Sequence, residues 1–158
     1  MKRLLIPSVI ILTFVITACS TTLSPLPNQP PSDPVSKESA SPEFDYASRM
    51  DDQGAIIFEV TPLDLNQTAE SLEFNIVLTT HSIDLSMDLA TTATLSTDTG
   101  VSVNSSLWDA PRGGHHVEGK LIFPAAQDGK SILDGATKLT LTITNVDAPT
   151  RIFEWELK

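Results

Sequence analysis

The stretch Ser71-Leu72-Glu73-Phe74-Asn75-Ile76-Val77-Leu78-Thr79 decides the fold. Leu72, Phe74, Ile76 and Leu78 share one parity, and Glu73 and Asn75 take the other. Successive side chains of a strand point to opposite faces, so this period of two predicts a strand with one buried side. The same period runs outward in both directions. Before it, Ile56, Phe58 and Val60 alternate over residues 55–61, and Pro62 and Asn66 close the run. After it, Ile83, Leu85, Met87 and Leu89 alternate with Ser82, Asp84, Ser86 and Asp88. A helix would spread these four apolar residues over two stripes, so a further strand is predicted there.

Ala93 and Leu95 predict a short strand, Asp98-Thr99-Gly100 a turn, and residues 101–107 another strand. Trp108-Asp109-Ala110-Pro111-Arg112-Gly113-Gly114 is broken by its proline and paired glycines and reads as a loop. Val117, Gly119, Leu121 and Phe123 alternate next, and Asp128-Gly129 and Asp134-Gly135 are turn dipeptides. Leu139, Leu141 and Ile143 point inward from residues 138–145, and Phe153, Trp155 and Leu157 do so at the end of the chain. About eight strands without a convincing helix predict an all-β fold, an antiparallel immunoglobulin-like β-sandwich over residues 43–158. Phe44, Tyr46 and Met50 are expected to dock against it as a short lead-in.

The chain ahead of this domain has a different composition. Met1-Lys2-Arg3 is positive, and residues 4–18 are uncharged and mostly apolar. That run is shorter than the roughly twenty residues a spanning helix needs, and Pro7 interrupts it. A basic start, a short apolar segment and small residues at its end make a signal peptide over residues 1–18. Ile16-Thr17-Ala18-Cys19 resembles the lipobox of bacterial lipoproteins. The resemblance implies cleavage before Cys19, lipid attachment to that cysteine, and a mature protein anchored on the extracytoplasmic side of a cell membrane or outer membrane. Cys19 is the only cysteine of the chain, so no disulfide competes for it. Ser20, where aspartate would favour inner-membrane retention, implies outer-membrane sorting if the envelope has an outer membrane. Residues 19–42 follow as a linker rich in proline and serine, with too little apolar content to bury, and are expected to be disordered.

The formal net charge is −10, and loss of Lys2 and Arg3 with the signal peptide leaves −12. This balance argues against nucleic acid, which needs basic patches. Gly129-Lys130-Ser131 is similar to the end of a phosphate-binding loop, but Pro124 stands where the first glycine belongs. Asp84, Ser86 and Asp88 start like a calcium loop, but Leu89 and Leu95 replace its glycine and glutamate. Neither Gly-x-Ser-x-Gly nor His-Glu-x-x-His occurs. The expectation is a non-enzymatic binding or structural domain with an envelope protein or polymer as partner, and no cofactor.

The alternative is a zinc or copper site. His81 continues the parity of Ile83 and Leu85, and His115 that of Val117 and Leu121, so both are expected to point inward. His116 is expected to point outward, with it or Asp109 completing the ligand set. The stretches Thr80-His81-Ser82-x-Asp84-Leu85 and Trp108-Asp109-x-Pro111-x-Gly113-Gly114-His115-His116 resemble uncharacterised bacterial envelope proteins, a likeness that implies no activity.

Overall fold

In a computed structural model of the chain, residues 46–158 are described, and they fall within one compact unit. The expected signal peptide, Cys19, the expected linker and Phe44 lie outside the described residues. The chain forms β1 (Arg49–Asp51), β2 (Ile56–Asp64), β3 (Ser71–Thr80), a 3-10 turn (Leu89–Thr91), β4 (Ala93–Thr97), β5 (Ser102–Asn104) and β6 (Leu107–Asp109). It continues through β7 (His116–Pro124), β8 (Ala126–Gln127), β9 (Lys130–Ser131), β10 (Lys138–Thr144) and β11 (Thr150–Glu156). All pairings are antiparallel. One sheet runs β1-β2-β3-β7-β6, a second runs β11-β10-β4-β5, and β8-β9 is a separate hairpin. Among the described residues no helix is long and apolar enough to cross a membrane.

The alternating rows fill the space between the two larger sheets. Ile56, Phe58 and Val60 of β2, the four apolar residues of β3, and Leu139, Leu141 and Ile143 of β10 are fully buried. Aromatic rings tie one sheet to the other: Phe74 lies 5.5 Å from Trp155, and Phe58 lies 6.5 Å from Phe153, centroid to centroid. Phe74 also meets Phe123 edge-on at 5.7 Å, a preferred aromatic geometry. Gly119 sits in the inward row of β7 because β6 leaves the sheet over it. A Cβ there would come within 2.3 Å of the Ala110 Cβ and 2.7 Å of the Asp109 oxygen.

Three expectations are corrected. Residues 83–89 are not a strand: Leu85 and Leu89 are buried, but the segment crosses the open end of the sheets. Its backbone pairs with a loop instead, Leu85 N–H donating to Gly114 O and Gly113 N–H to Leu85 O, at 2.9 and 3.0 Å. The Asp88 carboxylate then caps the 3-10 turn by accepting from Ala90 N–H at 3.1 Å. The single strand predicted over 101–107 is two, β5 and β6, on different sheets. Ser105 and Ser106 make the crossing. Ser105 N–H bonds Ala93 O in one sheet, and Ser106 N–H bonds Ile122 O in the other. Met50 does not dock, being 70% exposed on the outer side of β1.

The sequence reading did not anticipate β1, and it is fastened across the gap between sheets. Arg151 of β11 is fully buried, its guanidinium 4.4 Å over the Phe58 ring. It donates to the Asp51 carboxylate, to Gln53 O, and to Val146 O at 3.3 Å. Burial pushes the Asp51 carboxyl up, but donors from Gln53 and Arg151 outweigh it and hold it below the ordinary carboxylate range. Arg49 Nε–H bonds Glu154 O at 3.1 Å, and Trp155 Nε1–H bonds Ala47 O at 2.8 Å. The exposed edge of β11 is thereby covered, as open sheet edges require.

At the end where Tyr46 sits against Lys158, the near end, Asp98 closes the β4–β5 turn onto β10. The Thr137 hydroxyl donates to it at 2.6 Å, with Thr137 and Lys138 N–H at 3.0 and 3.2 Å. Led by the hydroxyl, these donors hold its carboxyl below the ordinary range. A depressed folded-state pKa gives stability that is present above the unfolded value, about 3.9. That stability is lost as pH falls through the folded value. The parent is therefore expected to lose denaturant resistance on acidification more steeply than Asp98→Asn, measured as urea midpoints from about pH 5 to about pH 2. Equal slopes would remove Asp98 from the acid limb.

Candidate binding sites at the two ends

Four connections meet at the far end of the domain, opposite Tyr46: residues 52–55, 81–92, 110–115 and 145–149. Gly54, with φ +70°, packs so tightly on Asp147 that a Cβ would stand 2.4 Å from its backbone oxygen. Asp147 Oδ2 accepts from Ala55 N–H and, at 3.1 Å, from Ile56 N–H. Asn145 and Asp147 hold positive φ, a conformation these side chains tolerate better than most. Across the end, Asp84 Oδ1 accepts from Gly114 N–H at 2.7 Å, and Arg112 pairs with Asp88 at 3.1 Å. Trp108 is buried. The loop expected from Trp108 is corrected at its start: Trp108 and Asp109 belong to β6, and residues 110–114 form a tight crossover, with the tryptophan before it in the core and Arg112 on an acid.

These connections leave a cleft of about 350 Å³ lined by Ile56, Ile83, Met87, Thr91, Val146 and Asp147. Its size is that of a small-molecule or side-chain site, which runs from about 300 to 1,000 Å³. Ile83 and Met87 are half-buried, and methionine adapts its shape to what it meets. The cleft can take an apolar group, with the Asp88 and Asp147 carboxylates in its lining. A second cleft of about 410 Å³, at the near end, lies between Thr99 and Val101 of one turn and Gln127, Asp128, Ile132 and Asp134 around the β8-β9 hairpin. Its lining is more polar.

The histidines do gather at the far end of the β3–β7 pair, where Thr79 opposes His116 and Thr80 N–H bonds His115 O at 3.0 Å. The inward placement of His81 and His115 is corrected: both side chains are exposed, as is that of His116. His81 lies past the end of β3, and His115 follows two glycines with φ +87° and +89°, so strand parity does not carry to either. His116 Nδ1 is 3.1 Å from Thr79 Oγ1. Asp109 opposes Lys120 in the ladder. Among the described residues no three of His, Cys, Asp and Glu are arranged to hold a metal ion. The buried Arg151 was missed, although the parity of Trp155 and Phe153 extended by one step reaches it.

Comparison with known proteins returned nothing: no family model, no curated protein and no solved structure matches the chain.

Proposed function

We propose that the chain is a lipoprotein, anchored through Cys19 on the extracytoplasmic side, whose immunoglobulin-like β-sandwich is a non-enzymatic binding module for an envelope component. The observation that carries the binding reading is the lie of the chain. It enters the domain at the near end, while the apolar cleft of about 350 Å³ opens at the far end. A tether at one end leaves the other free to meet a partner. The strand order supports the immunoglobulin-like sandwich. β2-β3-β7-β6 follows the order A-B-E-D, and β11-β10-β4 follows G-F-C with β5 as one added strand. The domain lacks the inter-sheet disulfide of antibody domains, since Cys19 is the only cysteine.

Two measurements test the proposal. The parent is expected to partition with membranes and Cys19→Ala to be released into the soluble fraction; equal partitioning would overturn the anchor. A photoreactive side chain placed at Met87 is expected to crosslink one envelope component in cells, and one placed at Glu118 is not. Equal labelling from both positions, or none from Met87, would overturn the binding end.

A further inference from the structure

The far-end cleft joins an aliphatic lining to an unbalanced negative charge. Ile56 and Val146 are its buried members, and Ile83 and Met87 are half-buried against them. Its threonines spend their hydroxyl protons on their own turn: Thr91 Oγ1–H donates to Asp88 O at 2.9 Å, and Thr92 Oγ1–H to Leu89 O at 3.2 Å. Two carboxylates, Asp88 and Asp147, complete the lining, and no lysine, arginine or histidine belongs to it. Both oxygens of Asp88 are engaged, Oδ2 by Arg112 and Oδ1 by Ala90 N–H, each at 3.1 Å. Asp147 is exposed and differs. Its Oδ2 accepts from the Ala55 and Ile56 backbone, but among the described residues its Oδ1 accepts no hydrogen bond and the carboxylate meets no cation. The same imbalance holds for the end as a whole. The connections 52–55, 81–92, 110–115 and 145–149 carry Asp52, Asp84, Asp88 and Asp147, with Arg112 as their only lysine or arginine.

We infer that the cleft receives an apolar residue of a protein segment that carries a lysine or arginine beside it. The inference rests on the far end being the binding end and deepens that reading by naming the partner's chemistry. The apolar side chain enters among Ile56, Ile83, Met87 and Val146, and the methionine adapts to its shape. The neighbouring cation lies against Asp147, the carboxylate of the lining that has no positive partner among the described residues. Filling the cleft displaces water beside that carboxylate, which strengthens the attraction. The net charge of −10 draws a basic segment toward the domain and repels an acidic one. A sugar polymer fits less well, because the lining has no aromatic ring to lie against and its threonine hydroxyls already donate to their own turn. A second copy of the chain would bring a charge of −10 to an acidic end.

The test titrates the full chain, in detergent, with three forms of one residue: leucinamide, a cation; N-acetyl-leucinamide, neutral; and N-acetyl-leucine, an anion. The readout is the methyl NMR signals of Met87 and Ile83, with Met50 on the outer side of β1 as the internal control. Leucinamide is expected to shift Met87 and Ile83 saturably and leave Met50 in place. The neutral form is expected to bind about threefold more weakly, the worth of one partly solvated ion pair, and the anion more weakly still. The preference is expected to shrink in about 1 M salt. It is also expected to vanish in Asp147→Asn, whose amide oxygen still accepts from the backbone, and in Thr91→Lys, which places a cation in the lining. Glu118→Gln removes a charge from the five-stranded face and is expected to leave it unchanged. No saturable shift with any form, equal binding of all three, a preference for the anion, or a preference that survives in both Asp147→Asn and Thr91→Lys would overturn the inference. Crosslinking from Met87 in cells requires no charge on the partner, so it reports on the binding end separately.

Discussion

Arg151→Ala is expected to be among the most destabilising single substitutions in the domain, at about 3–5 kcal/mol. The side chain is fully buried, and its removal leaves the Asp51 carboxylate, itself only 13% exposed, without its cationic partner. It also strips Gln53 O of a donor and the Phe58 ring of its cover. Against a total stability of about 5–15 kcal/mol the loss is large. At roughly 4 °C per kcal/mol it corresponds to a fall in Tm of about 12–20 °C. Replacing both partners with apolar residues, Arg151→Met with Asp51→Leu, is expected to recover most of the loss, because a buried pair costs more to break than to delete. Urea midpoints of the three variants decide it. A loss below about 1 kcal/mol in Arg151→Ala would show that the pair does not hold β1 to the domain.

Phe74→Ala is expected to cost about 3–5 kcal/mol, while Glu73→Ala beside it costs under about 0.5. Phe74 is fully buried at the crossing of both sheets, touching Phe123 and Trp155. Its loss opens a cavity that rigid strands on either side cannot collapse. Glu73 points outward and bridges Lys120 at 3.1 Å, but the lysine is half exposed and the carboxylate partly so, and such a surface pair contributes little. Comparable losses in the two variants would contradict the inward register of β3.

The parts of the fold legible in the sequence are those where alternation and hydrogen bonding coincide. β3, β7 and β10 alternate over their whole length and lie inside their sheets, so the pattern names both the strand and its buried side. At residues 83–89 the two part company: alternate burial of Leu85 and Leu89 is satisfied by a segment that makes no ladder. The crossing at Ser105 and Ser106 was hidden for a related reason, since an inward side chain reads the same whichever sheet bears it. Parity carried from neighbouring rows misplaced His81 and His115, because both lie outside the strands: His81 follows the end of β3, and His115 precedes β7 directly after two glycines with left-handed backbone. Arg151 escaped attention as a charged residue in an apolar row. Its partners, Asp51 and Gln53, are about a hundred residues away, and no local pattern joins them.

The attachment of β1 has a mechanical consequence. β1 runs from the near end toward the far end, Arg49 opposite Val60 and Asp51 opposite Phe58. A pull transmitted through the chain ahead of Tyr46 is therefore directed along the strand rather than across it. The rungs to β2, the Arg49–Glu154 bond, the Trp155–Ala47 bond and the Arg151–Asp51 pair lie side by side under such a load. They resist in shear, all at once, instead of opening one after another like a zip. A domain held by a single N-terminal tether, with drag or a bound partner at its other end, would have a lateral fastening at the place where tension arrives first.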